Sequence, residues 1–129
     1  MPGEAPKQPR PRKSGRASDE SLKLAISAKD ILESKKGMDI RLLDVRGISG
    51  VTDFYLIVSG NSPPHLKAMF NDLQVNLKKA GIACYRSTGD AESGWLVVDY
   101  IDVVVHIFSR EARDRYAIEE LWGAAPRVE

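Results

Sequence analysis

The chain has 129 residues, of which 43% are hydrophobic and 29% charged, which suits one folded domain rather than a disordered chain or a coiled coil. No stretch reaches the roughly 20 apolar residues that a membrane-spanning helix needs. The single cysteine, Cys84, rules out an internal disulfide and a cysteine-rich zinc cage. The near-neutral total hides an asymmetry. Residues 1–17 hold five basic side chains (Lys7, Arg10, Arg12, Lys13, Arg16) against Glu4, and the rest of the chain has 14 basic and 17 acidic ones. The body thus lacks the positive field of a domain that grips a phosphate backbone unaided.

Four prolines among Gly, Lys and Arg make residues 1–17 a disordered basic tail, a solubilising extension in the first instance and at most a weak RNA contact. From Ser18 a helix is expected, capped by Ser18 or Asp19, with Leu22, Ala25, Ile26, Lys29 and Leu32 at helical spacing and Gly37 as its end. Ile40 to Val45 reads as a short strand, and the two glycines of RGISGVTD (46–53) interrupt it. FYLIVSG (54–60) is a continuous apolar run, the signature of a strand covered on both faces. Ser62 as N-cap and Pro63 at the first helical position open a second helix. Its stripe is Leu66, Met69, Phe70, Leu73, Leu77 and Ala80, and Gly81 closes it. A weak strand over 82–87, a polar loop over 87–94 and two strands, WLVVD (95–99) and DVVVHIF (102–108), follow. The last two are so close that they must form an antiparallel hairpin. Residues 110–122 read as two short helical turns. The expected fold is α+β, with one mixed five-stranded sheet packed with helices.

Catalytic chemistry finds little support. Nucleotidyl transfer needs a small-residue turn for phosphates and paired carboxylates for a divalent metal. Gly60, Asn61 and Ser62 offer such a turn, but Asp99 and Asp102 are three residues apart and flank a turn. They cannot share one face of a strand, because side chains alternate sides. No lysine follows the Gly60 turn in the manner of a phosphate-binding loop. His65 and His106 are the only histidines, too few for a metal site without carboxylates. His106, among valines, reads as a hydrogen-bonded interior imidazole ahead of a ligand. His65 reads as exposed in the first turn of its helix, and Cys84 as a small buried hydrophobe. No cofactor or metal is expected.

Aromatic residues crowd the hairpin. Trp95 opens one strand, Tyr100 sits in the turn, and Tyr116 and Trp122 follow. Large aromatics usually serve the core, and Trp95 fits core or contact equally well. A tyrosine in so short a turn is expected to face outward, where Tyr and Trp dominate protein–protein contacts. Replacing Trp95 or Tyr100 by Glu is therefore expected to spare the fold and weaken binding.

Three segments, DVRGISGVTDFYLIVSGNSPPHLKA (44–68), WLVVDYIDVVVHIF (95–108) and RDRYAIEELW (113–122), together resemble the ribosomal silencing factor family, also called the Iojap or RsfS family. The likeness covers about residues 22–122. It implies a nucleotidyltransferase-like topology without catalytic groups, hence no enzyme, with a nucleotide-handling enzyme on the same fold as the alternative. It also implies a cytoplasmic homodimer that binds the large ribosomal subunit through ribosomal protein fourteen. Such binding blocks joining of the small subunit and lowers translation. The partner-binding residues it implies are Trp95, Asp99, Tyr100, Asp102 and Tyr116. The implied organisation is a tail over 1–17, a silencing-factor domain over 18–123 and a flexible end over 124–129. Three positions depart from the family pattern: Pro64 replaces an arginine, Ile101 replaces a turn glycine, and Thr88–Gly89 replaces Glu-Gly. Isoleucine resists positive φ, so a type I or wider turn is expected at Ile101.

Overall fold

The computed structural model describes residues 18–49, 51–118, 120 and 127–128. The element order is α1 (Ser18–Ser34), β1 (Met38–Asp44), β2 (Phe54–Gly60), α2 (Pro63–Lys79), β3 (Arg86–Asp90), β4 (Trp95–Asp99), β5 (Val103–Ser109), α3 (Arg110–Tyr116) and β6 (Arg127–Val128). The five expected strands lie in one sheet, and β6 adds a sixth of two residues, giving the order β3-β4-β5-β2-β1-β6. Only β2 and β5 run parallel; every other neighbouring pair is antiparallel. Within the end over 124–129, expected to be flexible, Arg127 and Val128 pair with Leu43 and Leu42. The expected tail over 1–17 and the readings of Trp122 lie outside the described residues.

Alternation along the strands sorts the core into two clusters. Phe54, Leu56 and Val58 of β2, Leu96 and Val98 of β4, and Val103, Val105 and Ile107 of β5 pack under α1 and α2. The side chains between them face the opposite way, where Ala112 of α3 joins Ile57, Trp95, Val97, Val104 and Phe108. The second helix buries Leu66, Met69, Leu73 and Leu77, as its spacing predicts, and Ser62 caps it by accepting from the His65 N–H at 3.3 Å. In α1 the buried face is Ser21, Leu24, Ala25, Ala28 and Leu32, rotated from the expected stripe, so Ile26 is exposed.

The two long helices end alike, with different residues. At the end of α2, Gly81 takes φ +85°, and the Ile82 N–H reaches back to the Leu77 carbonyl at 2.8 Å. At the end of α1 the left-handed residue is Lys36, at φ +61°, and Gly37 is the next one, its N–H on the Leu32 carbonyl at 2.9 Å. Gly37 is needed for another reason: a Cβ there would lie 2.6 Å from Val58 Cγ2.

The main departure among the strands is β3. The expected strand over 82–87 lies three to four residues later, because ladder pairing with β4 (Arg86↔Asp99 to Asp90↔Trp95) fixes it rather than apolar content. Being an edge strand, Arg-Ser-Thr-Gly-Asp is half exposed and carries no hydrophobic alternation. The first half of the expected polar loop, 87–90, is thus strand, and 91–94 turn the chain.

Candidate functional site

Hairpin register assembles the face away from the long helices. Trp95 pairs with Phe108, Val97 with His106 and Asp99 with Val104, and the parallel β2 adds Ser59, Ile57 and Tyr55 beside Phe108, His106 and Val104. An aromatic group results. The Trp95 ring lies 5.0 Å from Phe108 and 4.3 Å from Tyr116, centroid to centroid, and His106 lies 5.8 Å from Tyr55 and stacks on Phe108 at 6.0 Å. The Trp95 plane is tilted by 34° from Phe108 and 42° from Tyr116, while His106 and Phe108 lie nearly parallel, 9° apart. The third helix brings Tyr116 here; Ser109 caps it by accepting from the Ala112 N–H at 3.1 Å.

Two side-chain hydrogen bonds tie polar groups together on this face. The Trp95 indole N–H donates to Nδ1 of His106 at 3.1 Å, and Arg113 donates to the Ser59 hydroxyl at 3.0 Å across the sheet. Since Nδ1 accepts, the proton of the neutral imidazole sits on Nε2. Burial holds the His106 ring neutral, its pKa pushed down to about 4 although Asp99 pulls the other way. The expectation of a hydrogen-bonded interior histidine is met.

The five expected partner-binding residues do not form one exposed face. Trp95 is only 7% exposed and Tyr100 only 2%, and they lie on opposite sides of the sheet. The reason is parity: an odd separation of five residues along an extended chain reverses the side. Tyr100 turns inward to the helix-covered core, where burial pushes its phenol up, with the nearby Cys84 adding to the shift. The expectation that a turn tyrosine must point outward is therefore corrected, and so is the idea that Glu at 95 or 100 would spare the fold. Either change would bury a carboxylate.

Asp99 and Asp102 are buried as well, and each supports the turn. A carboxylate oxygen of Asp99 accepts from the Ile101 N–H at 2.8 Å. The carbonyl of Asp102 accepts from both Asp53 and Phe54, at 3.0 and 3.1 Å, binding the turn to the start of β2. Ile101 takes φ +71°, and the Asp102 N–H closes on the Tyr100 carbonyl at 2.8 Å, the i to i+2 bond of a γ-turn. The sequence-based expectation of a type I or wider turn is thus corrected. Surrounding hydrogen bonds hold a β-branched residue where its intrinsic preference is against it. Of the five residues only Tyr116, 45% exposed, presents a ring to solvent.

The small-residue turn after β2 is committed to structure. Pro63 and Pro64 carry no N–H. The Asn61 N–H goes to Nδ1 of His65 at 2.9 Å, and the remaining His65 nitrogen meets the Lys35 carbonyl at 2.8 Å. His65 is therefore a strap between α1 and α2 rather than an exposed contact. Sequence reasoning missed the Trp95–His106 pair, although its signal was present. The hairpin register puts Trp95 opposite Phe108 and diagonal to His106, within reach of an indole.

A family profile described as ribosomal silencing factor during starvation matches residues 18–129. The ribosomal silencing factor RsfS of Halalkalibacterium halodurans is 38% identical over 113 residues, covering 88% of this chain and 94% of its own. A Chromobacterium violaceum protein of known crystal structure superposes with a TM-score of 0.73 at 40% identity, covering 84% of this chain and 88% of that one. A mouse protein named for mitochondrial assembly of the ribosomal large subunit is 32% identical over 95 residues, 71% of this chain and 42% of its own. With the sheet order, the hairpin and the match over 18–129 all in agreement, this chain belongs to the ribosomal silencing factor family.

Proposed function

We propose that this protein represses translation by binding the large ribosomal subunit and keeping the small subunit from joining it. It turns over no substrate: a rigid domain held where the small subunit must dock excludes it sterically. The contact is with a ribosomal protein, ribosomal protein fourteen, and the protein acts in the cytoplasm as a homodimer. Family membership supports this reading, as does the large-subunit name of the mouse relative. The charge of the body, with its acidic excess after residue 17, favours a protein surface over a phosphate backbone.

The observation that carries the proposal is the exposed Tyr116 ring seated on the buried Trp95 ring, 4.3 Å away. An amphipathic ring braced from below loses little freedom on binding, which suits an interface anchor. Tyr116 makes the contact, while Trp95, Asp99, Tyr100 and Asp102 act beneath the surface by holding the hairpin in shape.

Sedimentation with purified ribosomal subunits tests this. The protein should travel with the large particle, and Tyr116→Ala should lower that affinity by about 30-fold, the effect of losing a hot-spot aromatic worth about 2 kcal/mol. Co-migration of Tyr116→Ala at wild-type strength would remove the assigned contact. A steep loss of wild-type affinity with salt would point to RNA instead.

A further inference from the structure

The Trp95–His106 pair is buried, polar and unused by any of the chemistry considered above. A tryptophan ring in an apolar cluster can be packed at several tilts with little difference in area lost to water. A hydrogen bond adds direction to that packing. Here the indole N–H has its acceptor on β5, at Nδ1 of a ring that is itself fixed by stacking on Phe108 (9° between planes) and by Tyr55. His106 is 2% exposed, so its ring has no solvent into which to turn. Beyond Trp95 lies Tyr116, in contact with the indole at one end of the group and with solvent at the other.

We infer that His106 is a positioning residue: by accepting the indole proton at Nδ1 it sets the plane of Trp95, and Trp95 in turn sets the tilt of the exposed Tyr116 ring. The inference deepens the reading of Tyr116 as the partner contact and rests on it for its functional half. The chemistry required of residue 106 is narrow. It must present a lone pair at the place of Nδ1 and bury a flat or compact body. Asparagine supplies an acceptor near that place through Oδ1, whereas leucine supplies similar bulk without one. A leucine there would leave the indole N–H buried and unpaired, and the ring would leave its plane to find a partner.

The test compares wild type, His106→Asn and His106→Leu in the full chain, in a Trp122→Phe background so that a single indole signal remains. NMR would follow the hydrogen exchange of that indole N–H and the cross-relaxation between the Trp95 and Tyr116 rings. Sedimentation with large ribosomal subunits would give the affinity. The expected result is a slowly exchanging indole proton and an unchanged ring-to-ring pattern in wild type and His106→Asn, with affinities alike within about twofold. In His106→Leu the ring-to-ring pattern should change and the affinity fall about tenfold, the scale of one buried hydrogen bond.

If His106→Leu keeps both the ring pattern and the affinity, the inference is overturned. The same holds if His106→Asn loses as much as His106→Leu. Should His106→Leu fail to fold, wild-type nitrogen spectra decide: Nδ1 must be the unprotonated nitrogen, and a proton found there overturns the assignment. If wild type itself does not sediment with the large subunit, the functional proposal fails, and the ring pattern and tautomer alone decide the role of His106.

Discussion

The two faces of this sheet are built from neighbouring residues of the same strands, yet they are stabilised by different physics. Under α1 and α2 the interior is almost wholly aliphatic, with Phe54 among leucines, valines and isoleucines that need only be close-packed. On the other side the strands present an indole, an imidazole and a serine hydroxyl, α3 adds a guanidinium, and hydrogen bonds join these groups in pairs. The first face derives its stability from area removed from water and tolerates changes of shape poorly. The second combines area with direction: its polar groups define how the rings sit. The contrast teaches that the long helices make the fold stable, while the opposite face is where the chain invests in orientation.

The largest effect should come from the aliphatic side. Leu73→Ala in α2 removes a fully buried side chain and should cost about 2–5 kcal/mol, read from urea unfolding. Tyr116→Ala removes a half-exposed ring and should cost much less, about 1 kcal/mol, while weakening binding to the large subunit; a similar stability loss at both sites would break the contrast between the faces.

Acid should sharpen it next. The unfolded chain takes up a proton at His106 near pH 6.5, while the folded one does so only near pH 4. Between those values the unfolded state binds more protons, so stability from this group is full above pH 6.5 and is lost as pH falls toward 4. The loss approaches an upper bound on the order of 3 kcal/mol. Unfolding free energies at pH 7 and pH 4.5 should differ by less in His106→Asn than in wild type, and equal differences would remove His106 from the account.

Two smaller changes probe the hairpin turn. The Tyr100 hydroxyl is buried with no hydrogen-bond partner among the described residues, so Tyr100→Phe should raise stability by about 1 kcal/mol, seen as a higher denaturation midpoint. Ile101→Gly relieves a β-branched residue of its positive φ. It should also stabilise, by under about 1 kcal/mol, because the flexibility of glycine in the unfolded chain offsets part of the gain. A loss of stability in Ile101→Gly would mean that the isoleucine side chain contributes more packing than its backbone costs.

The legible parts of the fold were those with redundant signals. Ser62, Pro63 and the stripe of α2 agree with one another, and β2 and β4 appear with their expected limits because apolar runs and breakers coincide there. β3 escaped because its residues have no pattern of their own and are strand only through pairing with β4. β6 is two residues long and leaves no periodic trace. For the site, the aromatic content was visible but its sidedness was misjudged. The alternation rule that separated Asp99 from Asp102 applies equally to Trp95 and Tyr100, five residues apart. What sequence could not supply at Ile101 was the set of hydrogen bonds that outweighs local preference there.

That set of bonds makes the turn between β4 and β5 behave unlike an ordinary loop. Tyr100 N–H goes to the Val103 carbonyl, Ile101 N–H to Asp99, Asp102 N–H to Tyr100, and the N–H groups of Asp53 and Phe54 both go to Asp102. Three strand ends thereby share one fastening, so none can fray without the others. Backbone amides at 53, 54 and 100–102 should surrender their protons to deuterium only when most of the molecule opens, giving a stretch without regular structure the kinetic resilience of the interior.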